Sequence, residues 1–81
     1  SVAEQTRQWL RNVEAILESE GGSLENVLKT TVFLDDIDDF DAFNEAYGEF
    51  FEAAPPARSA VGAGDVPKGA AIEIEAIATV E

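Results

Sequence analysis

The sequence has 81 residues and a formal net charge of −12, with 17 acidic residues against 5 basic ones and neither cysteine nor histidine. A chain of this length is at most one domain, taken here as residues 1–81, and its small core predicts that a partner subunit supplements its stability. The absence of cysteine and histidine excludes disulfides, zinc fingers, a Ser-His-Asp triad and a cysteine nucleophile.

The excess of acidic residues also indicates which binding partners are disfavoured and what salt concentration suits the protein. Nucleic acids and anionic membranes are disfavoured, because neutralising phosphates requires clustered Lys and Arg. A folded chain this acidic suggests a halophilic origin, since salt screens the self-repulsion. No apolar run is long enough to cross a bilayer and no signal peptide precedes the first element, so a cytoplasmic protein is expected.

The first half of the chain predicts a helix and then a strand. Leu10, Val13 and Leu17 recur at helical spacing within Val2–Glu18, and Gly21 with Gly22 ends that helix. The segment Val27–Leu34 is rich in Val, Thr and Phe and has the length of a strand. Neither of its faces is fully polar, so we expect both faces to be covered.

The second half predicts another helix and two more strands. Asp38 or Asp39 is expected to cap a helix whose aromatic residues recur at helical spacing and which ends before Pro55-Pro56. Strands follow at Arg58–Ala63 and Ala71–Glu81, with a turn at Gly64–Gly69 between them. The apolar stripe of this helix is formed by Phe40, Phe43, Tyr47 and either Phe50 or Phe51.

This element order predicts an α+β fold in which two helices cover one face of a mixed three-stranded sheet. The turn between the last two strands suggests an antiparallel hairpin, in which Arg58 and Glu73 could share a face. An open face that is both apolar and charged indicates oligomerisation. The residues expected on that face are Arg58, Glu73, Glu75, Val27, Phe33 and Ile77.

The acidic stretch Asp35–Asp41 has two interpretations. A calcium loop requires alternating oxygen ligands with a glycine at its sixth position, and no register of this stretch supplies that glycine. We therefore favour the interpretation that these carboxylates complement the N-terminus of the second helix.

Arg58 is the most informative single residue, because it is the only arginine outside the first helix. Small residues follow it, which leaves room for a guanidinium to bind a carboxylate with two hydrogen bonds. The alternative is an ordinary ion pair with Glu73. On the second helix, Tyr47 is expected in the core and Asn44 at the surface, at the edge of the apolar stripe.

Several stretches together, including KTTVFL (Lys29–Leu34), PARS (Pro56–Ser59) and EIEAIA (Glu73–Ala78), resemble the YjgF/YER057c/UK114 (RidA) family. The resemblance implies a chorismate-mutase-like fold, with a mixed sheet and two helices on one face. It also implies a homotrimer with substrate clefts between subunits. The implied activity is hydrolysis of 2-imino acids, such as 2-iminopropanoate and 2-iminobutanoate, to 2-keto acids and ammonia, with no metal or organic cofactor.

The resemblance also suggests roles for individual residues. Arg58 matches the arginine that binds the substrate carboxylate, and Glu73 matches the carboxylate that positions or activates water. Asn44 matches a residue near the ligand, and Ala60 stands where many members have cysteine. The chain corresponds to the C-terminal two-thirds of the family domain, without its N-terminal strands. A non-enzymatic ligand-binding or chaperone-like role on the same fold is the alternative.

Overall fold

The fold is a three-stranded mixed sheet with two helices on one face. A computed structural model describes residues 1–51, 55–62 and 70–79. The α+β class and the order of elements are confirmed. The predicted turn Gly64–Gly69 lies outside the described residues, as do the predicted strand ends at Ala63 and Val80–Glu81. In chain order the elements are α1 (Val2–Ser19), β1 (Val27–Leu34), α2 (Phe40–Gly48), β2 (Ala57–Gly62) and β3 (Ile72–Ala78), with short 3₁₀ turns at Leu24–Asn26 and Ile37–Asp39.

The strand β1 lies in the middle of the sheet, and the predicted hairpin between the last two strands is wrong. The order is β2-β1-β3, with β1 parallel to β2 and antiparallel to β3. The helix α2 carries the chain from β1 to β2 as a strand-helix-strand crossover, which makes these two strands parallel. β3 then pairs with the other edge of β1. The central strand β1 has more buried residues than either β2 or β3.

The core lies between the sheet and the two helices. Thr30, Val32 and Leu34 of β1 are almost completely buried on the face towards the helices. Tyr47 is in the core as predicted, at 3% exposure. The apolar core residues are Leu10, Leu17, Val27, Val32, Leu34, Phe43, Tyr47, Phe51, Ile72 and Ile74.

A β-bulge at the start of β1 changes which side chains are buried. Val27 pairs with Ala78 and Lys29 pairs with Ile77, so Leu28 is an extra residue in the ladder. Val27 consequently joins the core, while Leu28 is 55% exposed. The prediction that Val27 lies on the open face is therefore wrong.

The helix termini follow the predicted capping in part. At the start of α1, the Ser1 side chain accepts a hydrogen bond from the Glu4 backbone N–H and so caps the helix. After α1, Gly21 adopts φ +82°, a conformation that favours glycine. Asp39 occupies the N-cap position of α2 but makes no capping hydrogen bond, and Asp36 instead caps the preceding 3₁₀ turn through the backbone N–H of Asp38.

Candidate functional site

Arg58 lies on β2 and faces the helices rather than the open face of the sheet. Its partner in the parallel ladder is Thr30, whose side chain is buried towards the helices. Paired residues on neighbouring strands point to the same side of a sheet. The prediction that Arg58 lies on the open face is therefore wrong, because that prediction assumed the hairpin with β3.

Three aromatic rings of α2 surround the Arg58 guanidinium. Its Cζ lies 5.4 Å from the centroid of Phe40, 5.5 Å from that of Phe43 and 5.0 Å from that of Tyr47. These distances are within the range of cation–π attraction. The Tyr47 hydroxyl is 2.7 Å from Thr30 Oγ1, which fixes the orientation of that ring.

The amide of Asn44 completes these surroundings. Arg58 Nη1 donates a hydrogen bond of 2.6 Å to Asn44 Oδ1, so Asn44 contacts the arginine as well as solvent. We name the rings of Phe40, Phe43 and Tyr47 together with the Asn44 amide the arginine seat.

No carboxylate neutralises Arg58 among the residues that the structure describes. Within those residues the single ion pair is the one between Arg7 and Glu49, and the alternative interpretation of Arg58, an ion pair with Glu73, is wrong because the two residues lie on opposite faces of the sheet. Asn44 is uncharged and accepts from one guanidinium nitrogen. Arg58 is exposed, and a guanidinium has further N–H donors beside the one bonded to Asn44, which are suited to binding an anion.

Glu73 lies on the opposite face of the sheet from Arg58. It pairs with Phe33 of β1, whereas Arg58 pairs with Thr30, three positions earlier in that strand. An odd separation places the two side chains on opposite faces. Glu73 is half-buried on the face that the helices leave open, so one chain does not bring these two residues together.

Ala60 is the fourth predicted site residue. It pairs with Val32 and is half-buried on the same face as Arg58, two positions further along β2. Its methyl group adds no polar atom beside the arginine, so any role it has in binding is steric.

The seat includes residues whose helical spacing predicted only a place in the core. Phe40, Phe43 and Tyr47 were predicted as an apolar stripe, and the stripe is also the surface on which Arg58 rests. The signal that could have identified them is the lone arginine on a small-residue strand directly after an aromatic helix. In a strand-helix-strand unit, the second strand returns beneath that helix.

The described residues carry no arrangement of His, Cys, Asp or Glu that could hold a metal ion. Within the same part of the chain, no helix is long and apolar enough to cross a membrane.

Comparison with known proteins assigns the chain to a family. The profile of the Endoribonuclease L-PSP family matches residues 1–80. The chain belongs to this family, which includes the YjgF and RidA proteins. The crystal structure of the Escherichia coli YjgF gene product matches with a TM-score of 0.92 at 46% identity, over 100% of this chain and 66% of that one. The chain therefore has the YjgF fold over the part that the two proteins share.

Relatives of this RidA-family chain have several names. A RutC family protein of Pyrococcus horikoshii is 52% identical over 95% of this chain and 61% of its own length. The human 2-iminobutanoate/2-iminopropanoate deaminase is 48% identical over 95% of this chain and 56% of its own length. A candidate regulator of Lactococcus lactis, AldR, is 47% identical over 100% of this chain and 64% of its own length. The chain thus spans less than two thirds of each of these relatives.

Proposed function

We propose that this RidA-family chain takes part in the hydrolysis of 2-imino acids to 2-keto acids and ammonia. The observation that supports this most strongly is the exposed Arg58 in the arginine seat, which no carboxylate of residues 1–51, 55–62 and 70–79 neutralises. A 2-imino acid carries a carboxylate that a guanidinium binds with two hydrogen bonds. The 48% identity to a human protein named as a 2-iminobutanoate/2-iminopropanoate deaminase supports the same reaction.

In the proposed reaction Arg58 binds the substrate carboxylate and Glu73 orients a water molecule towards the imine carbon. The water oxygen forms the new C–O bond, and its protons pass through Glu73 to the imine nitrogen. The C–N bond then breaks, which releases ammonia and leaves the 2-keto acid. No oxidant or reductant is consumed in these steps, and neither a metal nor an organic cofactor is invoked.

The proposal includes a site shared between two copies of the chain, in a homotrimer. Arg58 and Glu73 occupy opposite faces of one sheet, so one substrate meets both only if each copy contributes one of them. Val61 and Ile77 are 45% and 62% exposed on the open face, which supports contact between copies there.

Imine hydrolysis in high-salt buffer tests the proposed reaction. An amino-acid oxidase generates the imine, and a trapping reagent reports how long it persists. We expect the wild-type chain to shorten that lifetime and Arg58→Ala to abolish the effect, because the carboxylate loses its partner. Arg11→Ala is the matched control, since it removes an exposed arginine of α1 that has no contact with the seat. Equal turnover by the wild type and Arg58→Ala would reject the mechanism.

Subunit complementation tests whether two copies share the site. Arg58→Ala and Glu73→Gln chains are each expected to be inactive alone. After they are unfolded together and refolded as a mixture, we expect about a quarter of the sites to combine an intact Arg58 with an intact Glu73 from different copies. A mixture that stays inactive although mixed oligomers form would exclude a shared site.

A non-enzymatic role as a small-ligand-binding protein is the second candidate. The relative described as a candidate regulator, AldR, favours it at 47% identity, and an anion-binding arginine serves ligand binding as well as catalysis. Arg58-dependent affinity for 2-oxobutanoate in a folded chain that does not hydrolyse imines would support this candidate.

An RNA-cleaving role, which the family name Endoribonuclease L-PSP suggests, has less support. The net charge of −12 opposes binding of a polyanion. We therefore do not extend that activity to this chain.

A further inference from the structure

We propose that Phe40 and Asn44 are positioning residues, which fix the orientation of the Arg58 guanidinium so that it presents an ordered pair of N–H donors to a carboxylate. The inference rests on the proposed function only in the choice of ligand. It adds Phe40 to the site, gives Asn44 a role through Arg58, and assigns each of the two residues a separate effect.

Phe40 is the partner that can be changed with the least damage to the core. Phe43 is completely buried and Tyr47 is 3% exposed, whereas Phe40 is only half-buried at the rim of the seat. Its ring lies 5.4 Å from Arg58 Cζ and 5.9 Å from the Phe43 ring. Phe40 therefore contacts the guanidinium from the solvent side of the seat. We expect this contact to restrict Arg58, because an exposed arginine otherwise samples several rotamers.

Asn44 fixes the rotation of the Arg58 guanidinium without neutralising its positive charge. Its Oδ1 accepts the 2.6 Å hydrogen bond from Nη1, which selects one rotation of the planar group. The surface of α2 around it is acidic, with Asp41 and Glu45 both exposed. A carboxylate at position 44 would have the same shape as the amide but would neutralise the arginine, so the amide keeps Arg58 available to an incoming anion.

The first test compares two phenylalanines of the same chain segment. Phe40→Leu removes the ring at the seat. Phe50→Leu is the matched control, because Phe50 is also half-buried and packed against the core but has no ring contact with Arg58. We expect Phe40→Leu to raise the KM for the imino acid, or the Kd for 2-oxobutanoate, about two- to fivefold while kcat changes little. Phe50→Leu should change neither value. Equal effects of the two substitutions would overturn the role of Phe40.

The second test separates orientation from charge at position 44. Asn44→Ala removes the acceptor, and we expect several-fold weaker binding of 2-oxobutanoate. Asn44→Asp keeps an acceptor and adds a charge, and we expect binding to be weaker still because the introduced carboxylate competes with the ligand for the arginine. Binding by Asn44→Asp that equals or exceeds the wild-type binding would overturn the charge argument.

A measurement on Arg58 itself keeps the inference testable if the chain neither hydrolyses nor binds these acids. Rotation of the guanidinium about its Nε–Cζ bond, followed by ¹⁵N NMR of the arginine side chains, should be slow in the wild type and several-fold faster in Phe40→Leu and in Asn44→Ala. Unchanged rotation would reject the positioning roles. Slow rotation without turnover would reject the proposed hydrolysis and leave the positioning roles standing.

Discussion

The hydroxyl groups of Tyr47 and Thr30 show how one buried polar pair supports the site. They lie 2.7 Å apart, and both residues are almost completely buried. Removing one partner leaves the other without a hydrogen bond, whereas removing both is close to neutral. We expect Tyr47→Phe to lower the free energy of unfolding by about 1–2 kcal/mol, as measured by urea denaturation.

The double variant is the control for that prediction. Thr30→Val keeps the branched shape of the threonine, and in combination with Tyr47→Phe it removes both hydroxyl groups. We expect the double variant to be more stable than Tyr47→Phe alone, because no polar atom is left unpaired. Additive losses in the double variant would show that the two hydroxyls do not depend on each other.

Single residues also show which features of the site the sequence could predict and which it could not. The helical spacing that predicted Tyr47 in the core was correct, but spacing does not reveal which strand lies beneath a helix. Arg58 was identified as a candidate because it is the only arginine outside the first helix and small residues follow it. The face of the sheet on which it lies depends on which strand β2 pairs with, and the alternation of apolar and polar residues does not encode that pairing. For Asn44 there were two signals, its position at the edge of the stripe and the family resemblance that places it near the ligand, but neither predicted its contact with Arg58.

At the scale of elements, the sequence predicted the secondary structure of each segment better than the pairing of the strands in the sheet. The bounds of β1 were predicted as observed, and α1 ends one residue later than predicted. The hairpin between the last two strands was wrong because sequence neighbours were taken as neighbours in the sheet. The bulge at Leu28 was missed for a similar reason, since an extra residue in a ladder is visible only against its partner strand.

An exposed ion pair whose strength depends on pH links Arg7 of α1 to Glu49, the residue directly after α2. Arg7 Nε and Nη2 donate to the two carboxylate oxygens of Glu49 at 3.1 and 2.8 Å. Hydrogen bonds from Arg7 lower the pKa of Glu49. A carboxyl group with a lowered pKa in the folded state stabilises the fold above its ordinary pKa and loses that contribution as the pH falls through the lowered value.

We therefore expect the free energy of unfolding of the wild type to fall more steeply than that of Glu49→Gln as the pH drops below about 4.3, the ordinary glutamate value. Chemical denaturation at a series of pH values measures this difference. Glu45→Gln is the matched control, because Glu45 is an exposed acid on α2 with no ion pair among the described residues. The difference should shrink at high salt, since both partners are partly exposed. Parallel pH profiles for the wild type and Glu49→Gln would contradict the role of the pair.

At the scale of the whole molecule, the charge balance sets the conditions under which the fold and any assembly form. With 17 acidic and 5 basic residues, the formal net charge is −12 per chain. Bringing copies together in a trimer adds like charges to one particle, so repulsion opposes assembly more strongly than it opposes folding of one copy. The proposed shared site therefore depends on salt through the oligomer as well as through the stability of each chain.

We expect the melting temperature to rise between about 0.1 and about 2 M KCl, because the Debye length falls from about 10 Å to below about 3 Å. Sedimentation over the same range should show mass moving from smaller species to the trimer. Sucrose at equal osmolality is the control, since it favours compact states without screening charge. A melting temperature that falls with KCl would reject salt adaptation. Imine hydrolysis that appears only where the trimer forms would connect the charge of the chain to the shared site.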